Sequence, residues 1–348
     1  MLLIDGYYLD GYRGVPLYLN KVVQGLRLSQ KPILCVKKSL RLSHSIKQQY
    51  RVVELPNINY ILWEQLLIPI IAIKMKVKKV WSPANTLSIF LLFSNINIIL
   101  TLHDLIFFEN YSMNTHFFQK IGVLYRRFVW QFFRKFRNVE IISVSKTTKI
   151  ELRKKFGLNS TVIYHGIDLP ENSKVDGEFI DSLPHNFCLH LGSISPSKGT
   201  DIALSEFLKC DQLIKHGFKC IVLGKLYSSE FAKTYLKNDA FIFLDYVSDN
   251  NLVYLFRHCR LFLSTSIKEG FGFVPLEAIL SGAPTLALKS DIADEILGNI
   301  GVPTVPREQF SEKIHEMAIK ENHDDFTEAC KNYYQWSKSV EKHQRILS

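Results

Sequence analysis

The chain has 348 residues, of which 47% are hydrophobic and 22% are charged. This balance is typical of a globular protein and excludes a disordered or fibrous chain, and the length predicts two domains rather than one hydrophobic core. The six cysteines are scattered without metal-ligand spacing, which indicates reduced thiols in the cytoplasm. We expect no signal peptide from the first residues, and the longest apolar run, 66–73, falls short of the ~20 residues that a membrane span requires.

The net charge of +10 is distributed unevenly along the chain. Residues 1–170 contain 24 Lys and Arg against 9 Asp and Glu, whereas the remaining residues contain 19 against 24. A basic half indicates contact with something anionic, and nucleic acid and an anionic membrane surface are the two physical candidates. No helix-turn-helix or zinc-finger spacing supports nucleic acid, so we expect none to be bound.

In chain order, short apolar runs alternate with longer amphipathic segments, a pattern typical of parallel sheets covered by helices on both faces. In the first half, strands are predicted at 2–4, 33–36, 77–81, 96–102, 141–144 and 162–164. Helices are predicted at 14–26, 60–73 with a bend or break at Pro69, 116–137 and 147–156.

A polar segment, 165–185, follows and is predicted to link two domains. A second alternation then begins, with strands predicted at 187–191, 220–223, 241–244, 261–264 and 285–288. The tail, 324–347, is predicted to be one long helical segment. The sequence therefore predicts an α/β fold with two doubly wound domains in tandem.

The most distinctive residues follow a predicted strand, where doubly wound folds bind their ligands. They form the segment 269–277, EGFGFVPLE, which leads into a helix. Gly270 and Gly272 let the backbone approach a ligand and leave N–H groups at a helix N-terminus, which suits the hydroxyls or phosphates of a sugar nucleotide. Glu277 can accept hydrogen bonds from a ribose diol. The plainer alternative is a glycine-rich turn, with Glu269 solvated and Glu277 favouring the helix dipole.

The stretch 264–301, STSIKEGFGFVPLEAILSGAPTLALKSDIADEILGNIG, closely resembles the E-x7-E signature of family 4 retaining glycosyltransferases, which have the GT-B fold of two Rossmann-like domains facing across a cleft. Other segments resemble the same family in the same order: TLHDL at 101–105, SVSKTTKIEL at 143–152, VIYHGID at 162–168, LHLGSISPSKGTDIAL at 189–204 and FLDYVSDNNLVYLF at 243–256. The resemblance implies an acceptor-side domain at 1–168, a nucleotide-sugar-binding domain at 169–330, and a C-terminal helix at 331–348 that crosses back to the first domain.

The resemblance also implies roles for individual residues. It implies catalytic roles for Glu269, His103 and Lys198. It implies a donor-binding set of Gly14, Ser193, Lys198, Glu269, Gly270, Phe271, Gly272, Phe273 and Glu277. In this interpretation Lys198 neutralises the diphosphate as the leaving group develops charge, and Glu269 positions and stabilises the sugar rather than attacking it.

Two positions depart from the family pattern. Ser193 stands where the family often has an arginine, and Pro16 stands where a second glycine is expected after Gly14. A catalytically silent nucleotide-sugar-binding protein therefore stays an alternative, as does a nucleotide-sugar epimerase, which shares the architecture. Without the resemblance, the simpler interpretation is that His103 is a structural residue and that Lys198 is an exposed surface lysine.

Metal-dependent glycosyltransferases hold a divalent ion with closely spaced carboxylates, and the sequence contains no DxD triplet. Its absence agrees with neutralisation of the diphosphate by Lys198 and helix N-termini. We therefore expect no metal and no cofactor, with the nucleotide sugar as substrate.

The predicted helix 116–137 lies in a region without acidic residues between Glu109 and Glu140. One face is predicted to be core and carries Ile121, Leu124, Phe128, Phe132 and Phe136. Another is predicted to be basic and aromatic and carries Arg126, Arg127, Trp130, Phe133, Arg134 and Arg137. Such a face suits an anionic membrane surface, so we expect peripheral binding at the inner face of the plasma membrane; a solvated basic helix is the alternative.

Together with these features, the family resemblance implies a cytoplasmic, metal-independent retaining enzyme. It would move a hexose from a nucleotide-diphosphate sugar to a glycan or lipid-linked acceptor. The expected setting is the synthesis of a bacterial surface polysaccharide, lipopolysaccharide or capsule.

Overall fold

The computed structural model describes residues 1–109, 117–133, 138–169, 175–192, 197–225 and 234–348. Within this part the chain divides into two compact units. Unit 1 comprises Met1–Gly166 together with Gln335–Ser348, and unit 2 comprises Ile167–Tyr334. Unit 1 is therefore built from both ends of the chain, and unit 2 is continuous.

Unit 1 contains a sheet of seven parallel strands in the order β3-β2-β1-β4-β5-β6-β7. The strands are β1 Leu2–Asp5, β2 Ile33–Lys37, β3 Arg51–Leu55, β4 Lys79–Ser82, β5 Asn97–Leu102, β6 Val139–Ser143 and β7 Thr161–Val162. The chain winds outwards from β1 in both directions, which is the doubly wound arrangement. Successive residues of β1 enter different hydrophobic clusters, Leu3 on one face and Ile4 on the other, so both faces of the sheet are buried.

Helices cover the sheet of unit 1. They are Val15–Gly25, His44–Gln49, Tyr60–Leu62, Ile68–Lys74, Ile89–Leu92, Phe117–Phe133, Lys146–Phe156 and the returning helix Trp336–Leu347. The returning helix packs closely on Val15–Gly25, because a Cβ at Gly25 would lie 2.8 Å from Cγ2 of Val340.

Unit 2 repeats the design with six parallel strands in the order β10-β9-β8-β11-β12-β13. The strands are β8 Phe187–Leu191, β9 Lys219–Leu223, β10 Phe241–Leu244, β11 Leu261–Ser264, β12 Thr285–Leu288 and β13 Thr304–Val305. Its helices are Gly177–Asp181, Thr200–Leu208, Asp211–Lys215, Asp249–His258, Phe273–Leu280, Asp291–Ile296, Phe310–Ile319 and Thr327–Tyr333. The predicted α/β class with two Rossmann-like doubly wound domains is confirmed.

Two of the predicted helical segments are interrupted in the structure differently from the prediction. The segment predicted to bend or break at Pro69 instead contains a π-helical turn, Trp63–Leu67, just before it. Proline has no N–H to donate, and the N–H of Ile68 bonds to the carbonyl of Trp63 five residues back, so the irregularity falls in the turn before the proline. The single helix predicted for the tail is wrong, because the tail forms two helices, Thr327–Tyr333 and Trp336–Leu347.

The predicted orientation of the helix Phe117–Phe133 is also wrong for the described side chains. Trp130 and Val129 are fully buried, whereas Leu124 and Phe128 are 53% and 51% exposed. The indole of Trp130 packs on Phe156 at 5.0 Å between ring centroids. Periodicity could not choose between the faces, because apolar residues occur at helical spacing on both sides. Phe136, Arg134 and Arg137 lie outside the described residues.

Candidate active site

The candidate site of unit 2 lies at the carboxyl ends of β8 and β11. These strands pair in parallel, with Leu261 opposite Cys188 and Leu263 opposite His190. Because neighbouring parallel strands end at the same edge of a sheet, the segments that follow them meet there. Lys198 follows β8 and Glu269 follows β11.

Lys198 and Glu269 form an ion pair. Nζ of Lys198 lies 2.8 Å from Oε1 of Glu269, and the hydroxyl of Ser266 donates to the same oxygen at 2.7 Å. The lysine side chain is 32% exposed and the glutamate side chain 13% exposed. The structure thus brings together two of the residues predicted to act at the donor, in a position that stays open to solvent.

The turn that carries Lys198 is fixed against the end of β11. The Thr265 hydroxyl lies 2.8 Å from the carbonyl oxygen of Gly199 and 3.2 Å from that of Lys198. The N–H of Ile267 donates to the carbonyl of Ser197 at 2.9 Å. Gly199 has a φ of 60°, and a Cβ on it would lie 2.1 Å from the carbonyl oxygen of Thr265. Only glycine therefore fits at this turn.

His190, which the sequence analysis did not single out, supports the same turn from within β8. It is buried, its Nδ1 lies 3.0 Å from the carbonyl oxygen of Leu263, and its Nε2 lies 3.1 Å from Oγ1 of Thr200. The carbonyl can only accept, so Nδ1 carries the proton. Burial lowers the pKa of His190 to about 4, with the Lys198 charge contributing. A histidine inside an otherwise apolar strand was the available signal.

The glycine-containing segment after Glu269 borders a small pocket. Gly272 takes a left-handed φ of 84° and starts the helix Phe273–Leu280. The lining of the pocket includes Ser266, Glu269, Gly272 and Pro275 and, from the helix Asp291–Ile296, Ile292. Gly272 thus ends the three-residue loop between Glu269 and the N-terminus of the helix Phe273–Leu280, and backbone N–H groups at a helix N-terminus can bind phosphates.

The other predicted donor residues of unit 2 lie around this turn. Phe271 is 3% exposed and packs on Tyr334 with 5.4 Å between ring centroids, so its side chain belongs to the core. Glu277 lies half-buried in the second turn of the helix, and its carbonyl accepts a hydrogen bond from the Ser281 hydroxyl at 2.8 Å. Ser193 lies outside the described residues. The donor-binding roles therefore stay predictions for the whole set, Lys198 and Glu269 included; the structure shows only that these two side chains form an ion pair.

His103 and Gly14 belong to unit 1. His103 follows β5 and is 8% exposed. Its ring Nε2 lies 2.8 Å from the carbonyl oxygen of Pro83, and its backbone N–H donates to Oδ1 of Asn85 at 2.6 Å. Burial lowers the pKa of His103. Gly14 is exposed and has a φ of 65° immediately before the helix Val15–Gly25, a conformation that favours glycine.

Unit 1 also holds two buried carboxyl groups that sequence reasoning missed. Asp5 accepts from Nε1 of Trp63 at 2.8 Å, and burial raises its pKa to about 6. Glu64 accepts from the hydroxyls of Tyr60, Thr86 and Tyr125, and burial raises its pKa to about 7. Single acids inside apolar segments were the only signal for this network.

Within the described part of the chain, no group of three or more His, Cys, Asp or Glu side chains is arranged to hold a metal ion. In the same residues, no helix is both long and apolar enough to span a bilayer.

Two family models match the chain in succession. Residues 62–171 match the one described as Glycosyltransferase Family 4, and residues 180–335 match the one described as Glycosyl transferases group 1. The matched ranges cover parts of both units and include Lys198, Glu269 and Glu277.

Among curated proteins, the serotype-specific mannosyltransferase WbdA of Escherichia coli is 29% identical over 124 residues, which are 34% of this chain and 15% of WbdA. The chain thus aligns with a small part of that longer relative. The O-antigen chain mannosyltransferase RfbU of Salmonella typhimurium is 26% identical over 261 residues, 69% of each chain.

Solved structures share the fold over the whole chain. WaaG, a glycosyltransferase involved in lipopolysaccharide biosynthesis, matches with a TM-score of 0.68 at 14% identity over 100% of both chains. Anabaena HepE, solved with UDP and glucose, matches with a TM-score of 0.68 at 16% identity over 99% of this chain and 98% of that one. These solved structures show the GT-B fold. The two family models, which match 62–171 and 180–335 in succession, show that the chain belongs to the group 1 glycosyl transferases of glycosyltransferase family 4.

Proposed function

We propose that the protein transfers a hexose from a nucleotide-diphosphate sugar to a glycan or lipid-linked acceptor, with retention of anomeric configuration and without a metal. The setting is the synthesis of a bacterial surface polysaccharide. WbdA and RfbU are mannosyltransferases by name, so a mannose donor is the first to test.

The observation that carries this proposal is the Lys198–Glu269 pair at the carboxyl edge of the unit 2 sheet. In this proposal the diphosphate of the donor lies beside the pair, and the ammonium, which Glu269 holds through the 2.8 Å contact, neutralises the charge of the departing diphosphate. The Ser266 hydroxyl holds the carboxylate in place, where it can accept hydrogen bonds from sugar hydroxyls. Glu269 thus orients the donor, while Lys198 stabilises charge that develops in the transition state.

The test is Lys198→Met assayed for sugar transfer from GDP-, UDP-, ADP- and TDP-hexoses to a lipid extract. We expect kcat to fall about 10²-fold or more, because an electrostatic contact to the developing charge is lost. Lys313→Met is the matched control, since Lys313 also pairs with a glutamate, Glu316, but in an exposed pair away from the site. The control should stay within about twofold of the wild type, as exposed pairs contribute little.

Equal activity of Lys198→Met and the wild type would contradict the assignment. Conversion of the donor without any acceptor would instead indicate the epimerase. Nucleotide binding without turnover on any acceptor extract would indicate a silent binding protein.

The finer proposal concerns location. We propose that the enzyme works as a peripheral protein on the inner face of the plasma membrane, held there by the basic N-terminal half. The excess of Lys and Arg in residues 1–170 supports attraction to anionic lipids. The six cysteines are free and buried, which agrees with a reducing compartment.

A further inference from the structure

The segment from Tyr60 to Ile73 has an unusual exposed face. Its exposed residues are all aliphatic: Leu62, Leu66, Ile70 and Ile73, which are 43%, 45%, 56% and 65% exposed. Its buried face carries Trp63, Glu64, Ile68, Pro69 and Ala72. A helix on the surface of a soluble protein normally turns polar residues to water, so this aliphatic face lacks the side chains that water would favour.

Further exposed apolar side chains belong to the helices beside it. Gln65 joins three helices: its side chain accepts from the N–H of Ile89 at 2.9 Å and donates to the Tyr125 hydroxyl at 2.6 Å. Next to the first contact, Phe90 and Phe93 are 60% and 70% exposed. Tyr125 belongs to the helix on which Leu124 and Phe128 are exposed. Exposed apolar residues are therefore concentrated on neighbouring helices of unit 1.

The exposed charged residues that follow the aliphatic face along the chain are all basic as far as Lys78. The sequence from 65 to 103 contains no acidic residue, and the side chain of Glu64 is buried among hydroxyl donors. Lys74, Lys76 and Lys78 are exposed immediately after Ile73. An aliphatic strip bordered by ammonium groups complements a surface that offers acyl chains beside phosphates.

We propose that the aliphatic face enters the acyl region of an anionic bilayer, with Lys74, Lys76 and Lys78 against the phosphates. The strip from Leu62 to Ile73 is about 16 Å long at the rise of a helix, so it lies along the membrane plane rather than across it. The inference rests on the proposed function because a lipid-linked acceptor gives the contact its use. It replaces the basic face of the helix Phe117–Phe133, whose Trp130 is in the core, as the main docking element.

The test compares sedimentation of the full-length chain with vesicles of phosphatidylcholine alone and with 30% phosphatidylglycerol. Ile70→Gln/Ile73→Gln removes aliphatic surface without changing charge. Ile150→Gln/Ile319→Gln is the matched control, since Ile150 and Ile319 are 65% and 58% exposed on other helices. We expect the first variant to lose about tenfold or more in binding to the anionic vesicles, and the control to bind as the wild type does.

A depth probe gives a second readout. All six cysteines are buried, so Ile70→Cys can be labelled selectively with an environment-sensitive fluorophore. We expect its emission to shift to the blue on anionic vesicles, whereas the same label at Ile150→Cys should not respond.

Several results would overturn the proposal. One is that the wild type does not bind vesicles, and another is that the Ile70→Gln/Ile73→Gln variant binds them as well as the wild type does. A third is that the wild type forms a dimer in solution, that the variant is monomeric, and that neither binds vesicles. Transfer to a water-soluble acceptor keeps the two proposals apart. That activity should survive Ile70→Gln/Ile73→Gln. Vesicle binding by a wild type that transfers sugar to no acceptor, neither water-soluble nor lipid-linked, would refute the transferase and leave the docking surface standing.

Discussion

Tyr18 is the centre of a buried chain of hydrogen bonds whose direction can be assigned atom by atom. Nε1 of Trp81 can only donate, and it bonds to Oγ1 of Thr101 at 3.0 Å; the Thr101 hydroxyl lies 3.0 Å from that of Tyr18. The Tyr18 hydroxyl lies 2.7 Å from Nε2 of His343, whose Nδ1 lies 2.8 Å from the carbonyl oxygen of Ser339. Because that carbonyl accepts, Nδ1 carries the proton, Nε2 accepts from Tyr18, and the Thr101 hydroxyl donates to Tyr18.

His343, which is neutral in this hydrogen-bond network, makes the stability of the folded protein sensitive to acid. Burial lowers the pKa of His343 to about 4. Below about pH 6.5 this histidine is therefore protonated in the unfolded state, while it stays neutral in the folded state until the pH approaches 4. The free energy of unfolding is therefore highest above pH 6.5, and it decreases as the pH falls towards 4. At pH 5 the loss is about 2 kcal/mol relative to pH 7.5.

We therefore expect His343→Gln to lose less stability than the wild type between pH 7.5 and pH 5, although it is less stable at pH 7.5. Chemical denaturation at both pH values measures the difference. Asp5 and Glu64, with raised pKa values, act in the opposite direction, but they are common to both proteins and cancel. The exposed His216, changed to Gln, is the control. An unchanged pH dependence in His343→Gln would refute the assignment.

At the scale of elements, the turn before the helix Thr200–Leu208 decides the position of Lys198. Gly199→Ala should destabilise the protein by more than the ~1–2 kcal/mol of a left-handed alanine, because its Cβ would also collide with the Thr265 carbonyl oxygen. Gly217→Ala is the matched control, with a φ of 80° and no heavy atom within 4 Å of an added Cβ. Thermal melts and donor KM measure both variants. Equal losses would show that the contact with Thr265 is unimportant.

The central strands and the E-x7-E turn could be predicted because each is a local pattern, an apolar run or a glycine pair beside acids. β3 was missed because it is an edge strand in which four of the five positions, charged or valine, are half-buried or exposed. β13 was missed because it has only two residues. The sequence of the helix Phe117–Phe133 does not determine which of its sides packs against the sheet, because that depends on its tertiary contacts. His190 bonds to Leu263 and Glu64 bonds to Tyr125, each more than 60 residues away along the chain, so these contacts could be seen only in the fold.

For the whole molecule, nucleotide binding should appear as a gain in stability, because a ligand that binds only the folded state raises its free energy of unfolding. At a nucleoside diphosphate concentration of about 100 times Kd, the gain is about 2.7 kcal/mol. A melt with GDP, UDP, ADP and TDP identifies the base, and Lys198→Met should abolish the shift. If none of the four raises Tm, the nucleotide-binding assignment of unit 2 fails.

The discontinuity of unit 1 has a consequence for biosynthesis. His343, and the carbonyl of Ser339 behind it, are supplied by the helix Trp336–Leu347, which leaves the ribosome after the other elements described above. Until then Tyr18 lacks its buried acceptor, whereas all the strands of unit 2 precede this helix. The C-terminal half can thus complete its core before the half that was made first, the reverse of the usual order for successive domains.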